Sequence, residues 1–503
     1  MPYSPVSTSK GVTNWGLAVT DMGSDNRAFV VEQRGIEFVP EAERTMKPRA
    51  LGVFWGGSSL YPFNVFIGVL IYSLGMPLWL AILVTVVGAA VSYAPVAIAS
   101  IAGARTGMPT HITLRATFGI DGQRVNAVLG WLVGIIYEII NVTVGVYAAV
   151  AIFDELGWAN SGDPGLVVAL IVVYGLCICL PLLGHATMMF VQRFFSVALG
   201  IAVLLLFVSL VDNLDLGARA GEPLSGKATL QVILIAIGIA WAGGYSYMIV
   251  ALDYPRYLPT NTPSRSIFWQ VLGGSVLAAG FLGLVGTMMA SQTAGGFLDP
   301  VAGVKPIIPY WIYIVWILAA IGGSISNNAL TLYSAGLAAQ AAGLPLKRWQ
   351  ATMVDGFIAI AGLVYVLFVD NGNFFANLNS YIVLAIAWVG PFGAVYLLDL
   401  WWRTWHVRPE HAHGDNSSPF AGVSGPRRSA WIATIAGIGA ALLTIASPKF
   451  NGPIAKALGT DLSWAAGPIV AGGIYWALGR KQVVAEAARL VAGFDPSAAC
   501  AQD

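Results

Sequence analysis

A chain of 503 residues that is 57% hydrophobic and only 10% charged falls far below the roughly 25% of charged residues found in an ordinary soluble protein. Such a composition belongs in a lipid bilayer. The net charge of +1 says nothing about partners until the charges are placed along the chain; a small-molecule solute, a coupling cation and the lipid bilayer are expected, and no nucleic acid. The three cysteines, Cys177, Cys179 and Cys500, are placed in an apolar run and a tail and form neither a disulfide framework nor a metal cluster.

The first forty-nine residues are polar and carry no short apolar core with a small-residue cleavage site, which predicts a cytoplasmic tail rather than a cleaved signal. Apolar runs of about twenty residues, long enough to cross a bilayer, then recur twelve times. They fall at about 50–74, 78–102, 125–153, 164–183, 187–211, 229–252, 267–290, 308–341, 351–369, 375–401, 429–447 and 463–479. An even number puts both termini on one side. With the termini inside, only Arg219, Lys227, Lys305, Lys449 and Lys456 of the 26 Lys and Arg residues fall outside, as the bias of basic residues toward the cytoplasm requires. A multi-pass protein of the plasma membrane with cytoplasmic termini is expected.

The first span, FWGGSSLYPFNVFIGVLIYSLG from Phe54 to Gly75, cannot be one continuous helix. Gly56 and Gly57 weaken it, and Pro62 lacks the N–H that would bond the Ser58 carbonyl one turn earlier. Freed carbonyls at membrane depth survive only in protein or beside a wet cavity, so a broken span predicts a binding site for an ion or polar solute. The sixth span repeats the pattern. Trp241, Gly243 and Gly244 precede Tyr245, Ser246 and Tyr247, and interrupted first and sixth spans predict two five-helix repeats of inverted topology with the site between them. The expected organisation is a tail at 1–49, repeats at 50–211 and 212–401, a flexible cytoplasmic linker at 402–428, two further helices at 429–480 and a tail at 481–503. His411 and His413 in the linker are expected to be solvated. The connection from Gly103 to Gln123 predicts a short helix on the cytoplasmic surface, with His111 exposed there.

Candidate site residues come from the third and eighth spans. Tyr137, Asn141 and Gly145 recur every four residues and share a helical face: a ring to stack on a flat solute, an amide for its edge, and space. Glu138 is a carboxylate in mid-membrane, which costs roughly 2.5–3.5 kcal/mol on the lenient insertion scale and is a functional hypothesis by default. Carrying a coupling proton or binding substrate are its expected roles. The eighth span carries Ser324, Ser326, Asn327, Asn328, Thr331 and Ser334, too many polar groups for a face turned to lipid. Asn327 and Thr331 share a face, whereas Asn64 and Asp399 are read as structural.

The runs FGIDG at 118–122, DYPRY at 253–257 and SNNALTLYSAGLAAQ at 326–340 resemble the signatures of the nucleobase-cation-symport family 1, the purine-cytosine permease and hydantoin transporter group. The resemblance covers about residues 30–480. It implies an all-α membrane protein of the leucine-transporter fold, with ten core helices, broken first and sixth helices and alternating access. It also implies that the family's substrate-stacking aromatic falls on Tyr137, where Tyr replaces the usual Trp, and that its amide hydrogen-bonder falls on Asn141. The sixth-span aromatic falls near Gly244 and Tyr245, the binding Asn on Asn327, and a first-span hydroxyl on Ser58 or Ser59. A sodium site, where members use one, would draw on Ser58, Tyr61, Ala320, Gly323 and Ser324, and the paired hydroxyls of sodium-using members are reduced here to Ser324.

The function expected is cation-coupled import of a nucleobase or related heterocycle, cytosine or a purine first. Allantoin, hydantoin, uracil or another small polar solute on the same fold is the alternative. No nucleophile triad, metal-ligand cluster or phosphate loop is present in the sequence, so no enzyme activity is expected. No cofactor is expected beyond a coupling cation, proton or sodium.

Overall fold

The computed structural model describes residues 34–158, 162–293, 301–370, 374–414, 417–447 and 450–492. The tail before residue 34, Lys449 and the end of the C-terminal tail with Cys500 lie outside the described residues. Within them the chain is all-α, without a strand beyond an isolated bridge between Ala446 and Asn451.

Nine described helices are long and apolar enough to cross a membrane: Leu78–Thr106, Ile120–Glu155, Pro164–Leu182, His185–Val211, Gly226–Val250, Ser264–Ser291, Tyr310–Ala341, Arg348–Val369 and Leu384–Trp402. Pro48–Ser59 and Pro62–Ser73, bent by 60° at their junction, make a tenth span. Pro426–Thr444 and Ser463–Ala492 are helical at the eleventh and twelfth predicted positions but are less apolar than the ten, the former because it opens on Arg427 and Arg428. The spans keep their sequence numbers below.

Packing follows the repeat. The first span packs on the seventh, the sixth on the second, the fourth on the eighth and the ninth on the third. Advancing each span by five places exchanges these pairs, and it maps the extensive third–eighth contact onto itself, as a 5 + 5 arrangement requires. The eleventh and twelfth spans pack on each other and on the tenth, outside the repeats.

Glycine sets the closest contacts. A Cβ on Gly68 would stand 1.9 Å from the Gly283 carbonyl oxygen, and one on Gly274 would stand 2.3 Å from that of Gly52. Backbones of the first and seventh spans therefore touch directly on both sides of the break, which only small residues permit.

The two breaks differ. Pro62 removes an N–H and opens a new helix at its first position, so the first span bends. No proline follows Gly243 and Gly244 until Pro255, so the sixth span keeps bonding and tightens at Ser246–Val250 into a 3₁₀ segment, the usual way a helix end satisfies its groups. The glycine pair serves contact as well: a Cβ on Gly244 would lie 2.2 Å from Ser92 Oγ and 2.8 Å from the Tyr93 ring.

Two loop expectations are corrected. The 103–123 connection holds two short helices, Thr110–Thr113 and Arg115–Phe118, and is buried rather than superficial; His111 is 2% exposed. Its backbone is held by Asp253, which accepts from Thr110 N and Oγ1 at 2.9 and 3.0 Å. The described part of the 402–428 linker is likewise packed down. Phe420 O accepts from Ile120 N at 3.0 Å and Arg115 Nη1 donates to Ala412 O at 2.9 Å, which leaves His411 and His413 half-buried.

Asp399 is structural as expected. It accepts from Thr117 Oγ1 at 2.9 Å, Arg403 Nε at 2.7 Å and Tyr475 OH at 2.7 Å. Glu486 closes the network by pairing with both Arg403 and Arg427.

Candidate functional site

The break in the first span supplies the polar ground of the site. The helix ends at Ser59, Tyr61 is extended (φ −143°, ψ 154°), and the next helix starts at Pro62. Three carbonyls of the last turn are met by side chains. Asn327 Nδ2 donates to Ser58 O at 2.7 Å, Asn64 Nδ2 to Ser59 O at 2.7 Å, and Ser326 Oγ to Gly57 O at 3.4 Å. The Ser58 carbonyl that Pro62 deprives is thus the one that Asn327 takes.

Beside the break lies a partly open cavity between the third, sixth and eighth spans. The third span lines it with Gly130, Gly134 and Tyr137, and the eighth with Asn327, Leu330, Thr331, Ser334, Ala335 and Ala338. These positions recur every three or four residues, so each helix presents one face. Ser246, Tyr247, Ile249 and Val250 of the sixth span and His111 complete the wall.

The hydrogen-bond inventory fixes what the wall can offer. Asn327 spends both N–H groups, on Ser58 O and on Tyr247 OH at 2.8 Å, which leaves its amide oxygen for a solute. Asn141 Nδ2 donates to Thr331 Oγ1 at 3.3 Å, and its Oδ1 has no partner. Thr331 Oγ1 in turn donates to Asn327 O at 3.3 Å. The Tyr137 hydroxyl faces Ser246 without meeting hydrogen-bond geometry. Tyr247 is fixed edge-on to Trp55 (5.5 Å between centroids, 79°) and stacked with Tyr93 (5.8 Å, 25°). Two aromatic rings and the amide oxygen of Asn327, whose donors are already engaged, suit a flat ring that carries N–H groups.

Of the predicted residues, Tyr137, Asn327 and Thr331 line the cavity, Ser58 adjoins it through its carbonyl, and Asn141 stands one bond behind Thr331. The others point elsewhere. Tyr245 stacks on Trp241 (4.5 Å, 22°) and donates to Gly390 O at 3.3 Å, toward the tenth span, and Gly244 abuts the second. Tyr247, two residues on in the 3₁₀ segment, supplies the ring. Ser59 Oγ is 3.5 Å from Tyr93 OH. Glu138 is turned to the fourth span, where Tyr174 OH lies 3.0 Å from its Oε1.

His111 was missed as a wall residue. Its Nδ1 meets Gln123 Nε2 at 3.1 Å, and burial pushes its imidazole down to about 4, so it stays neutral. Its sequence signal was proximity to a run of Thr and Gly with no charged neighbour before Arg115.

The candidate sodium ligands are only partly brought together. The eighth span touches the break at Gly323, where a Cβ would lie 2.6 Å from Leu60 O and 3.0 Å from Tyr61 Cα. Ser58 Oγ bonds back to Trp55 O at 3.2 Å, and Ala320 is buried. Ser324 faces the third span instead: a Cβ on Gly145 would lie 3.3 Å from its Oγ. An amide from the fifth span, Gln192, sits on the other side of the break, accepting from Ser326 Oγ at 2.9 Å.

A family model described as permease for cytosine/purines, uracil, thiamine, allantoin matches residues 38–467. The chain belongs to this family. It is a multi-pass membrane permease, not an enzyme. A relative in Bacillus subtilis (strain 168), YxlA, named as a purine-cytosine permease, is 24% identical over 89% of this permease and 96% of its own length. The Saccharomyces cerevisiae vitamin B6 transporter TPN1 is 24% identical over 73% of the permease and 64% of its own length. Among solved structures, Mhp1, a nucleobase-cation-symport-1 family transporter in a closed conformation with bromovinylhydantoin bound, superposes with a TM-score of 0.70 at 16% identity, covering 92% of the permease and 96% of Mhp1. A Na⁺-coupled sialic acid symporter gives 0.56 at 13% identity, covering 91% and 94%. The leucine-transporter-like fold is therefore shared.

Proposed function

We propose that the permease is a cation-coupled symporter of the plasma membrane, both termini cytoplasmic, that imports a nucleobase-like heterocycle by alternating access. Cytosine or a purine is the first candidate. The observation that carries this reading is the cavity wall, in which the Tyr137 and Tyr247 rings accompany the Asn327 amide, its two donors engaged and its oxygen left to accept, with Asn141 behind Thr331. An amino-pyrimidine or purine matches that wall, since its ring and exocyclic N–H groups meet oxygen acceptors. Allantoin, hydantoin or uracil, which also carry ring N–H groups, form the second reading, supported by the bromovinylhydantoin bound in Mhp1.

For the coupling ion, a proton is favoured over sodium. A carboxylate at Glu138 is buried at membrane depth, while Ser324 faces away from the break and Gln192 adjoins it. Uptake by the protein in liposomes, screened against cytosine, adenine, guanine, hypoxanthine, uracil, allantoin and hydantoin, tests the substrate. Saturable accumulation of one nucleobase that stops when the ion gradient collapses is expected; a linear, gradient-independent flux would show a channel instead. If sodium couples, substrate affinity must rise with sodium and sodium affinity with substrate by the same factor.

A further inference from the structure

Behind the cavity, where the third, fourth, eighth and ninth spans meet, the structure buries two carboxyl groups against each other. Glu138 and Asp355 are both fully buried, and one hydroxyl ties their surroundings together: Tyr174 OH reaches Glu138 Oε1 at 3.0 Å and, at 2.7 Å, the carbonyl of Gly356, the residue next to Asp355. We infer that they hold one proton between them and form a proton-binding site of this permease. As the coupling site of a symporter it rests on the reading proposed above.

The count of hydrogens carries the inference. Asp355 Oδ1 accepts from Trp131 Nε1 at 2.6 Å. Tyr174 OH has a single hydrogen and two neighbours, Glu138 Oε1 at 3.0 Å and Gly356 O at 2.7 Å. Glu138 Oε2 and Asp355 Oδ2 receive no donor. Two ionised carboxylates buried beside each other repel, and one shared proton both relieves this and bonds the two bare oxygens, as in carboxyl dyads elsewhere.

Nothing nearby supplies a positive charge instead. The third span contributes Trp131, the fourth Tyr174 and Cys177, and the eighth Asn328, which is buried with both amide atoms unpartnered and faces Glu138 and Cys177. Among the described residues neither carboxyl has an ion pair with Lys, Arg or His. Arg348, two turns earlier on the ninth span, donates to the Pro181 and Leu182 carbonyls, each at 2.8 Å.

The position links this proton to the cavity. Glu138 follows Tyr137 and Asn328 follows Asn327, so a displacement of either wall residue moves a member of the proton site. While both carboxyls are buried as described the proton stays; a rearrangement that exposes the pair to water makes two separated carboxylates tolerable, and the proton passes to bulk water with no other bond made or broken.

Infrared difference spectra of the full chain in liposomes, titrated with acid and base, test this without a solute. A protonated-carboxyl C=O band is expected that Glu138→Gln and Asp355→Asn each abolish or displace. A band unchanged in Asp355→Asn overturns the shared site. Tyr174→Phe, which removes one bond and no charge, is the control for variants that fail to fold, and no shift of the band in it also counts against the pair. Labelled cytosine then separates the two readings: pH-driven accumulation is lost and exchange kept in Asp355→Asn if the site couples transport. Absence of any nucleobase uptake by the wild type sinks the symport reading while leaving the infrared result to judge the proton site.

Discussion

The third and eighth spans each divide consecutive residues between two very different places. Tyr137 and Asn327 face the cavity, and Glu138 and Asn328 are buried behind it with unpartnered polar atoms. The difference teaches how one helix pair can serve two ligands. Neighbours about 100° apart on a helix of 3.6 residues per turn look to different sides, so a solute and a proton can be held at one depth without meeting.

The largest effect is expected where the cavity depends on the break. Asn327→Ala removes two hydrogen bonds and leaves the Ser58 carbonyl bare, and cytosine affinity should fall by about 1–3 kcal/mol, read by equilibrium binding on folded protein. Wild-type affinity would remove Asn327 from the site. His111 comes next. Its folded-state value of about 4 lies below the ordinary 6.5, so the unfolded chain binds the proton first, and stability present above pH 6.5 is lost as pH falls toward 4. The slope from this group is at most about 1.4 kcal/mol per pH unit. Thermal unfolding between pH 7 and 5 should show it, and His111→Gln should flatten it.

Stacking predicts a smaller change. Tyr137→Phe should keep affinity and Tyr137→Ala lose about 0.5–1.5 kcal/mol beyond area burial; equal affinities would mean the ring does not stack on the solute. Smallest of all is Tyr245→Phe, which gives up a bond to Gly390 outside the cavity and should leave affinity unchanged, whereas Tyr247→Ala should lower it. The reverse outcome would restore Tyr245 as the sixth-span ring and break the contrast drawn between the two faces.

The places where sequence reasoning succeeded are those ruled by a single strong term. Pro62 dictates its break, the twelve apolar runs fall on helices, and the four-residue spacing of Asn327 and Thr331 puts both on the cavity wall. It failed where geometry depends on context. Tyr245 was chosen over Tyr247 because a helix passing into a 3₁₀ segment changes its turn from 3.6 to about 3.0 residues, and no residue marks where that begins. His111 was placed outside because a Thr-rich connection reads as surface until its anchor, Asp253, is known to lie 143 positions away. Asp355 had a legible signal, being a carboxylate within an apolar span like Glu138, but pairing across the third and ninth spans is a tertiary fact.

The touching backbones of the first and seventh spans have a mechanical consequence. With carbonyls of Gly52 and Gly283 standing where a methyl would go, there is no layer of side chains to shear between the two helices. Both halves of the broken span are keyed to one rod, so a stroke that alternates access carries them as a single lever. The compliant seam lies instead among the tyrosines: Tyr93, Tyr137 and Tyr247 meet through rings and hydroxyls that can swing without parting any backbone.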